Sequence, residues 1–123
     1  LQEQTLRRFE VVAVDDASAD AGAAWLAAWV SSRDGSAWPR WRLVRMSHQV
    51  GVAKALDTGV RLARAPLIAR MDADDVAHPD RLRRQLLYLH EHPRVGAVGA
   101  AVEVFHSDGA EGAGLTKVQQ SVL

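Results

Sequence analysis

Three aspartates crowd into four positions of "APLIARMDADDVAHPDR" (65–81): Asp72, Asp74 and Asp75, at the end of an apolar run. Ionised carboxylates this close repel one another, and a cation between or beside them relieves the repulsion. Hard divalent cations such as Mg2+ and Mn2+ take oxygen ligands, and Mg2+ is often held by one or two carboxylates together with substrate phosphates. In extended backbone, side chains alternate. Asp72 and Asp74 are therefore expected on one side, and Asp75 on the other, toward the following loop and helix. A second acidic pair, Asp15 and Asp16, closes the run "FEVVAVDD" (9–16) and can offer polar contacts to the rest of the same ligand. Acids after a strand also cap helices or sit in solvated turns, and that alternative stays open for Asp16, Ser18 and Asp20.

Positioning these acids falls to the elements before them. "FEVVAVDD" is a β-rich run. "SADAGAAWLAAWVSSRDG" (18–35) is an alanine-rich helix that Ser18 or Asp20 can cap and Gly35 can end. Trp25 and Trp29 share one of its faces and are expected to pack on a sheet. "WRLVRM" (41–46) reads as a second strand. "GVAKALDTGVRLARA" (51–65) reads as a helix with Val52, Leu56 or Ala55, Val60 and Ala63 on one side. "PLIARMD" (66–72) reads as a third strand, with Pro66 tolerable at its first residue. In "HPDRLRRQLLYLHEHP" (78–93), Pro79 suits the first helical turn and Asp80 the positive end of the dipole. Leu82, Leu86 and Leu89 keep helical spacing, and Pro93 stops the helix. "VGAVGAAVEVF" (95–105) reads as a long fourth strand, and "LTKVQQSVL" (115–123) has a weak helical pattern. Alternating strands and helices build parallel sheets with right-handed crossovers, and ligands of open α/β sheets bind outside the carboxyl ends of the strands. Both acidic groups fall at such ends.

Bulk properties bound the remaining classes. A chain of 123 residues is one domain or less, and its zero formal net charge argues against a nucleic-acid partner recruited by bulk charge. The absence of cysteine excludes disulfides and thiolate metal sites. No run of about 18 apolar residues is present to span a membrane. A cytoplasmic chain is the default expectation, with the full-length protein free to associate with a membrane. The start at Leu1 rather than methionine leads us to expect an N-terminus upstream.

"FEVVAVDDASAD", "GVAKALDTGVRLARAPLIARMDADD" and "HPDRLRRQLLYLHEHPRVGAVGA" together resemble the family 2 glycosyltransferases of GT-A fold, in order and spacing, over roughly residues 3–105. The resemblance implies an α/β, Rossmann-like, mostly parallel sheet flanked by helices. It implies a partial nucleotide-sugar-binding domain at 1–105, with 106–123 a tail of uncertain structure. The implied donor is a nucleotide-diphosphate sugar; the acceptor, a carbohydrate, lipid or protein, stays open. By carry-over, Asp15 and Asp16 match acids of which one holds the base. Asp72 matches the first acid of the Asp-x-Asp motif, near the ribose or diphosphate. Asp74 matches the second, on Mn2+ or Mg2+, with Asp72 also placed at the metal. Arg81 and Gln85 match common positions of the next helix, with a structural role favoured. "QT" at 4–5 matches the end of the family's first helix.

The departures are equally specific. Ala17 and Ala19 stand where the family usually has glycine and threonine, Asp57 where it has asparagine, and His48 and Gln49 near another usual asparagine. The family's opening strand has no counterpart and the chain begins within the helix that follows it; the family's catalytic base also has no counterpart and is expected outside this chain. The chain thus reads as a fragment or truncated gene product, inactive alone, that carries mainly the donor-binding half of an inverting, metal-assisted transferase. Two other readings compete. "LIARMDADDV" also resembles the haloacid dehalogenase signature, in which Asp72 would be a nucleophile and Asp74 an acid/base; there the signature strand opens the domain, whereas two strands precede it here. The third reading is a non-catalytic remnant.

Overall fold

The computed structural model describes residues 1–33, 35–104 and 116–118. Its elements are β1 (Glu10–Asp15), α1 (Ala21–Ser31), β2 (Arg40–Arg45), α2 (Val52–Leu62), α3 (Arg81–Glu91), β3 (Val102–Val104) and β4 (Thr116–Val118). β1 and β2 pair in parallel, Glu10 opposite Arg40 through Asp15 opposite Arg45. α1 is the crossover between them, and it packs on β2 while α2 packs on β1. The β-branched run of β1 and the alternation of charge and bulk in β2 suit this arrangement, and the first βαβ unit stands as the sequence pattern predicts.

α1 starts at Asp20, whose carboxylate accepts from the backbone N–H groups of Gly22 (2.9 Å) and Ala23 (3.2 Å). Of the two candidate caps, Asp20 serves. The helix ends at Ser31, before Gly35. Trp25 and Trp29 stack at 6.2 Å between ring centroids, and Trp29 meets Trp41 of β2 edge-on at 4.7 Å. The expected packing on the sheet thus belongs to Trp29. Trp25 is 65% exposed and lies over its neighbour instead.

α2 turns a different face to the sheet from the one its larger apolar residues suggest. Ala55 is buried, and a Cβ added at Gly59 would lie 3.3 Å from Val14 Cγ2. Val52, Leu56 and Val60 form the adjacent i, i+4 stripe and are exposed. Small residues let the helix backbone approach β1 closely, and that decides the face. Of the face expected to hold Val52, Leu56 or Ala55, Val60 and Ala63, the Ala55 alternative stands and Ala63 is half-buried, while Val52, Leu56 and Val60 are corrected to exposed positions and Gly59 joins the contact.

The third and fourth strands also need correction. Residues 66–72 form no strand, and Leu67 and Ile68 are half-exposed. A strand needs a neighbour to complete its hydrogen bonds, and among the described residues no strand pairs with this segment. In 95–105 only Val102–Val104 is a strand, and it pairs antiparallel with Thr116–Val118. Residues 116–118, expected to be helical, are thus extended; Phe105 and the rest of the tail fall outside the described residues. Leu1–Gln4 is a turn rather than the end of a helix. α3 forms where expected but is shorter, Arg81–Glu91 with Asp80 as its N-cap, so Pro79 lies in the turn before the helix rather than in its first turn. Its Leu82 and Leu89 are half-buried and Leu86 is exposed. No helix among the described residues is long and apolar enough to cross a membrane.

Candidate functional site

The first acidic group closes β1. Asp15 is buried; its Oδ1 accepts from the Ser18 N–H at 3.0 Å. Arg45, its neighbour in register on β2, places Nε 3.2 Å from Asp15 Oδ2, an ion pair outside hydrogen-bond alignment, and donates from Nη2 to Ser18 O at 2.7 Å. Hydrogen bonding by Ser18 holds the Asp15 carboxyl below its ordinary range; burial opposes this, and the Arg45 charge adds to it. Arg45 is thus engaged with this loop. Ala17 bends the chain at φ 57°, in the left-handed region where glycine rests easily.

Asp16 faces the other way, toward α2. Its Oδ1 accepts from Val50 N at 2.7 Å and its Oδ2 from Gly51 N at 2.9 Å. Gly51 is the N-cap residue of α2, has φ 86° and supplies no side-chain cap of its own. A carboxylate at this end complements the helix dipole. The capping alternative left open for Asp16 is thus realised, at a helix 34 residues downstream rather than at α1.

The second acidic group lies between α2 and α3. The backbone turns here, with Asp75 N donating to Asp72 O at 3.3 Å. Because it is not extended, alternation does not decide which carboxylates share a side. Asp72, Asp74 and Asp75 are all exposed. A recess of about 150 Å³ is lined by Arg70, Met71, Asp72 and Asp75. Asp74 sits on the turn outside that lining. Arg70 Nη2 lies 3.0 Å from both oxygens of Asp72, and Arg81 Nη2 donates to Arg70 O at 2.7 Å. Gln85 Nε2 donates to Gly99 O at 3.2 Å. Arg81 and Gln85 therefore hold backbone, in line with the structural role favoured for them. His78 Nδ1 accepts from Asp80 N at 3.1 Å, a local turn contact.

Among the described residues no hydrogen bond or ion pair joins Asp15 or Asp16 to Asp72, Asp74 or Asp75, and no three His, Asp or Glu side chains converge as a metal-ligand set. The donor chemistry of the turn nonetheless suits a hard divalent cation. Asp72 and Asp75 line one recess with Asp74 on the turn beside it, and a cation there would share Asp72 with Arg70 and take its remaining ligands from water and phosphate.

Gln4 and Thr5, matched in sequence only to the end of a family helix, were not expected to contact this site. Gln4 is 1% exposed. Its Nε2 donates to His78 O at 2.7 Å, and its Oε1 accepts from Leu82 N at 3.1 Å. Thr5 donates from its backbone to Pro79 O at 2.8 Å and from Oγ1 to Asp80 Oδ1 at 2.7 Å. The only sequence signal was the "QT" pair itself.

Comparison with known proteins gives relatives of this chain by sequence. The chain is 35% identical over 117 residues to the amylovoran biosynthesis glycosyltransferase AmsE of Erwinia amylovora, covering 90% of this chain and 40% of that protein. It is 39% identical over 99 residues to the succinoglycan biosynthesis protein ExoO of Rhizobium meliloti (strain 1021), covering 80% and 25%. To the bifunctional glycosyltransferase pgtA of Dictyostelium discoideum it is 30% identical over 109 residues, covering 86% and 14%. The chain thus spans two-fifths or less of the length of these relatives. No solved structure matches. Residues 1–117 match the family described as glycosyl transferase family 2, which has the GT-A fold; β1, β2 and their helices are an incomplete part of it. The chain belongs to glycosyl transferase family 2.

Proposed function

We propose that the protein carrying this chain transfers a sugar from a nucleotide-diphosphate sugar to an acceptor hydroxyl during polysaccharide synthesis, and that these residues form the donor-binding half of its site. The observation that carries the reading is the acidic turn: Asp72 and Asp75 lining one recess with Asp74 adjacent, in a chain of this family. The relatives named for amylovoran and succinoglycan biosynthesis support a carbohydrate acceptor; lipid and protein acceptors are the alternatives. Asp72 and Asp74 hold Mn2+ or Mg2+, and Asp72 also faces the ribose or diphosphate. When bound, the cation neutralises charge on the departing nucleoside diphosphate. Asp15 and Asp16 border the nucleoside. Asp16 does so as a fixed acceptor, since both its oxygens already hold the start of α2. The acceptor oxygen attacks the anomeric carbon opposite the leaving group, with inversion, and an acid outside this chain takes its proton. This chain alone binds donor without turnover.

Membership of a glycosyltransferase family removes the ground for the phosphohydrolase reading. So does the missing strand, since residues 66–72 do not form the element that its signature requires. Calorimetric titration of the native-length protein with UDP- and GDP-sugars, with and without Mn2+, tests the proposal. Nucleotide binding that needs Mn2+ and is lost in Asp74→Ala is the expected result. Binding untouched by that substitution would sink the metal role, and no nucleotide affinity at all would leave a non-catalytic remnant.

A further inference from the structure

The segment bearing the acidic turn has little to hold it. It contains no strand, and Leu67, Ile68 and Val76 are exposed. Its beginning is fixed where Glu10 Oε1 accepts from the backbone of Arg64 and Ala65. Its end is fixed by Gln4 and Thr5, which bind the three consecutive residues His78, Pro79 and Asp80 and also Leu82, across more than 70 positions of sequence. The acidic turn lies between these anchors.

We infer that Gln4 is a positioning residue for the acidic turn, acting on Asp72 through the start of α3; the inference rests on the donor-site reading above. The contacts are continuous. The Gln4 carboxamide holds His78 O and Leu82 N, which fixes the first turn of α3 and with it Arg81. Arg81 holds the carbonyl of Arg70, and the Arg70 guanidinium holds both oxygens of Asp72. Gln4 suits this task because a carboxamide is donor and acceptor at once. It meets a free helix-start N–H and a carbonyl with one rigid group, shielded from water. Groups that orient a metal-binding carboxylate set its affinity without touching the ion.

The test compares Gln4→Met, which keeps the bulk and loses both hydrogen bonds, with Gln4→Glu, which keeps the acceptor for Leu82 N and loses the donor to His78 O. Three quantities are read in the native-length protein: Mn2+ affinity by relaxation enhancement of water protons with Mn2+ alone, amide hydrogen exchange, and donor KM against kcat. Gln4→Met is expected to weaken Mn2+ binding about threefold or more, short of the roughly 10–100-fold lost when a group bonded directly to a metal ligand is removed, because it acts through Arg81 and Arg70. Gln4→Glu should fall between it and the parent. Faster exchange should be confined to 70–82, with the β1–β2 amides unchanged. If Gln4→Met does not fold, Thr5→Val carries the test with a smaller loss in the same direction, and Thr5→Ser should restore the parent value. A lowered melting temperature with unchanged Mn2+ affinity and unchanged exchange at 70–82 would overturn the inference. Asp74→Ala in the same Mn2+ assay separates the two levels. If it abolishes binding while the Gln4 and Thr5 variants do not alter it, the positioning inference alone falls. If it leaves binding unchanged, the metal reading and the inference fall together.

Discussion

Asp15 and Arg45 face each other across the parallel strand pair, Nε 3.2 Å from Oδ2, at the point where both strands end. The guanidinium also reaches Ser18 O, so one side chain joins β2 to the loop that leaves β1. Ser18 and Arg45 together keep the buried carboxyl ionised below its ordinary value.

A pH dependence with a definite sign follows. The folded pKa of Asp15 lies below the unfolded value of about 3.9. Protons then favour the unfolded chain, so the contribution is complete above that value and is lost as pH falls through the lower folded pKa. Asp80, lowered chiefly by its hydrogen bond from Thr5, acts in the same direction. Melting temperature is expected to be level from neutrality down to about pH 5 and to drop below about pH 4. In Asp15→Asn the drop should be shallower. An equally steep drop in that variant would show that other groups drive acid unfolding.

Asp16 makes a separable prediction. Asp16→Ala leaves Val50 N and Gly51 N without their acceptors and should cost about 1–2 kcal/mol in urea unfolding, the range of a lost helix cap. Asp16→Asn keeps one carbonyl acceptor and should cost less. Equal losses would mean that the charge at the α2 dipole, not the hydrogen bonds, is what matters.

Backbone conformation predicts opposite outcomes at two nearby positions. Gly51 has φ 86° and ψ 158°, a region almost reserved for glycine, and open space surrounds the position of an added Cβ. Gly51→Ala should therefore lose about 1–3 kcal/mol through torsion alone. Ala17 already carries a Cβ at φ 57°. Left-handed geometry costs a non-glycine residue about 1–2 kcal/mol, part of which glycine returns through unfolded-chain entropy, so Ala17→Gly should gain about 0.5–1 kcal/mol. Differential scanning calorimetry of the two variants checks both signs.

The contact of α2 with β1 depends on a hydrogen atom where other residues carry a side chain. Gly59→Leu would drive a branched chain toward Val14 Cγ2 and should cost about 1–3 kcal/mol. Val14→Ala should relieve part of that cost, which a double-mutant cycle in urea would read as positive coupling.

Elements with short-range causes were legible in the sequence. β1 and β2 show in their apolar runs, α1 in its Asp20 cap, and α3 in its leucine spacing after Pro79. What misled was structure set by partners. Residues 66–72 have a strand's composition, but a ladder needs a second strand, and composition carries no information about it. The face of α2 followed close approach at Gly59 rather than the larger side chains at Val52, Leu56 and Val60. At the site, the acids themselves were legible as a chemical type. Their settings were not: Asp16 bonds across 34 positions and Gln4 across 74, and no local pattern announces contacts of that span. Ala17 was flagged by its departure from the family's glycine, and its positive φ is the physical content of that departure.

The chain's four tryptophans all lie between residues 25 and 41, and two of them meet where α1 rests on β2. Their emission and near-ultraviolet dichroism therefore report on the docking of that helix, with Trp29 and Trp41 close enough for their transitions to couple. The acidic turn carries no such chromophore. A change in this optical signal therefore reads the β1–α1–β2 unit, and a cation bound at the acidic turn has no tryptophan within that turn to report it.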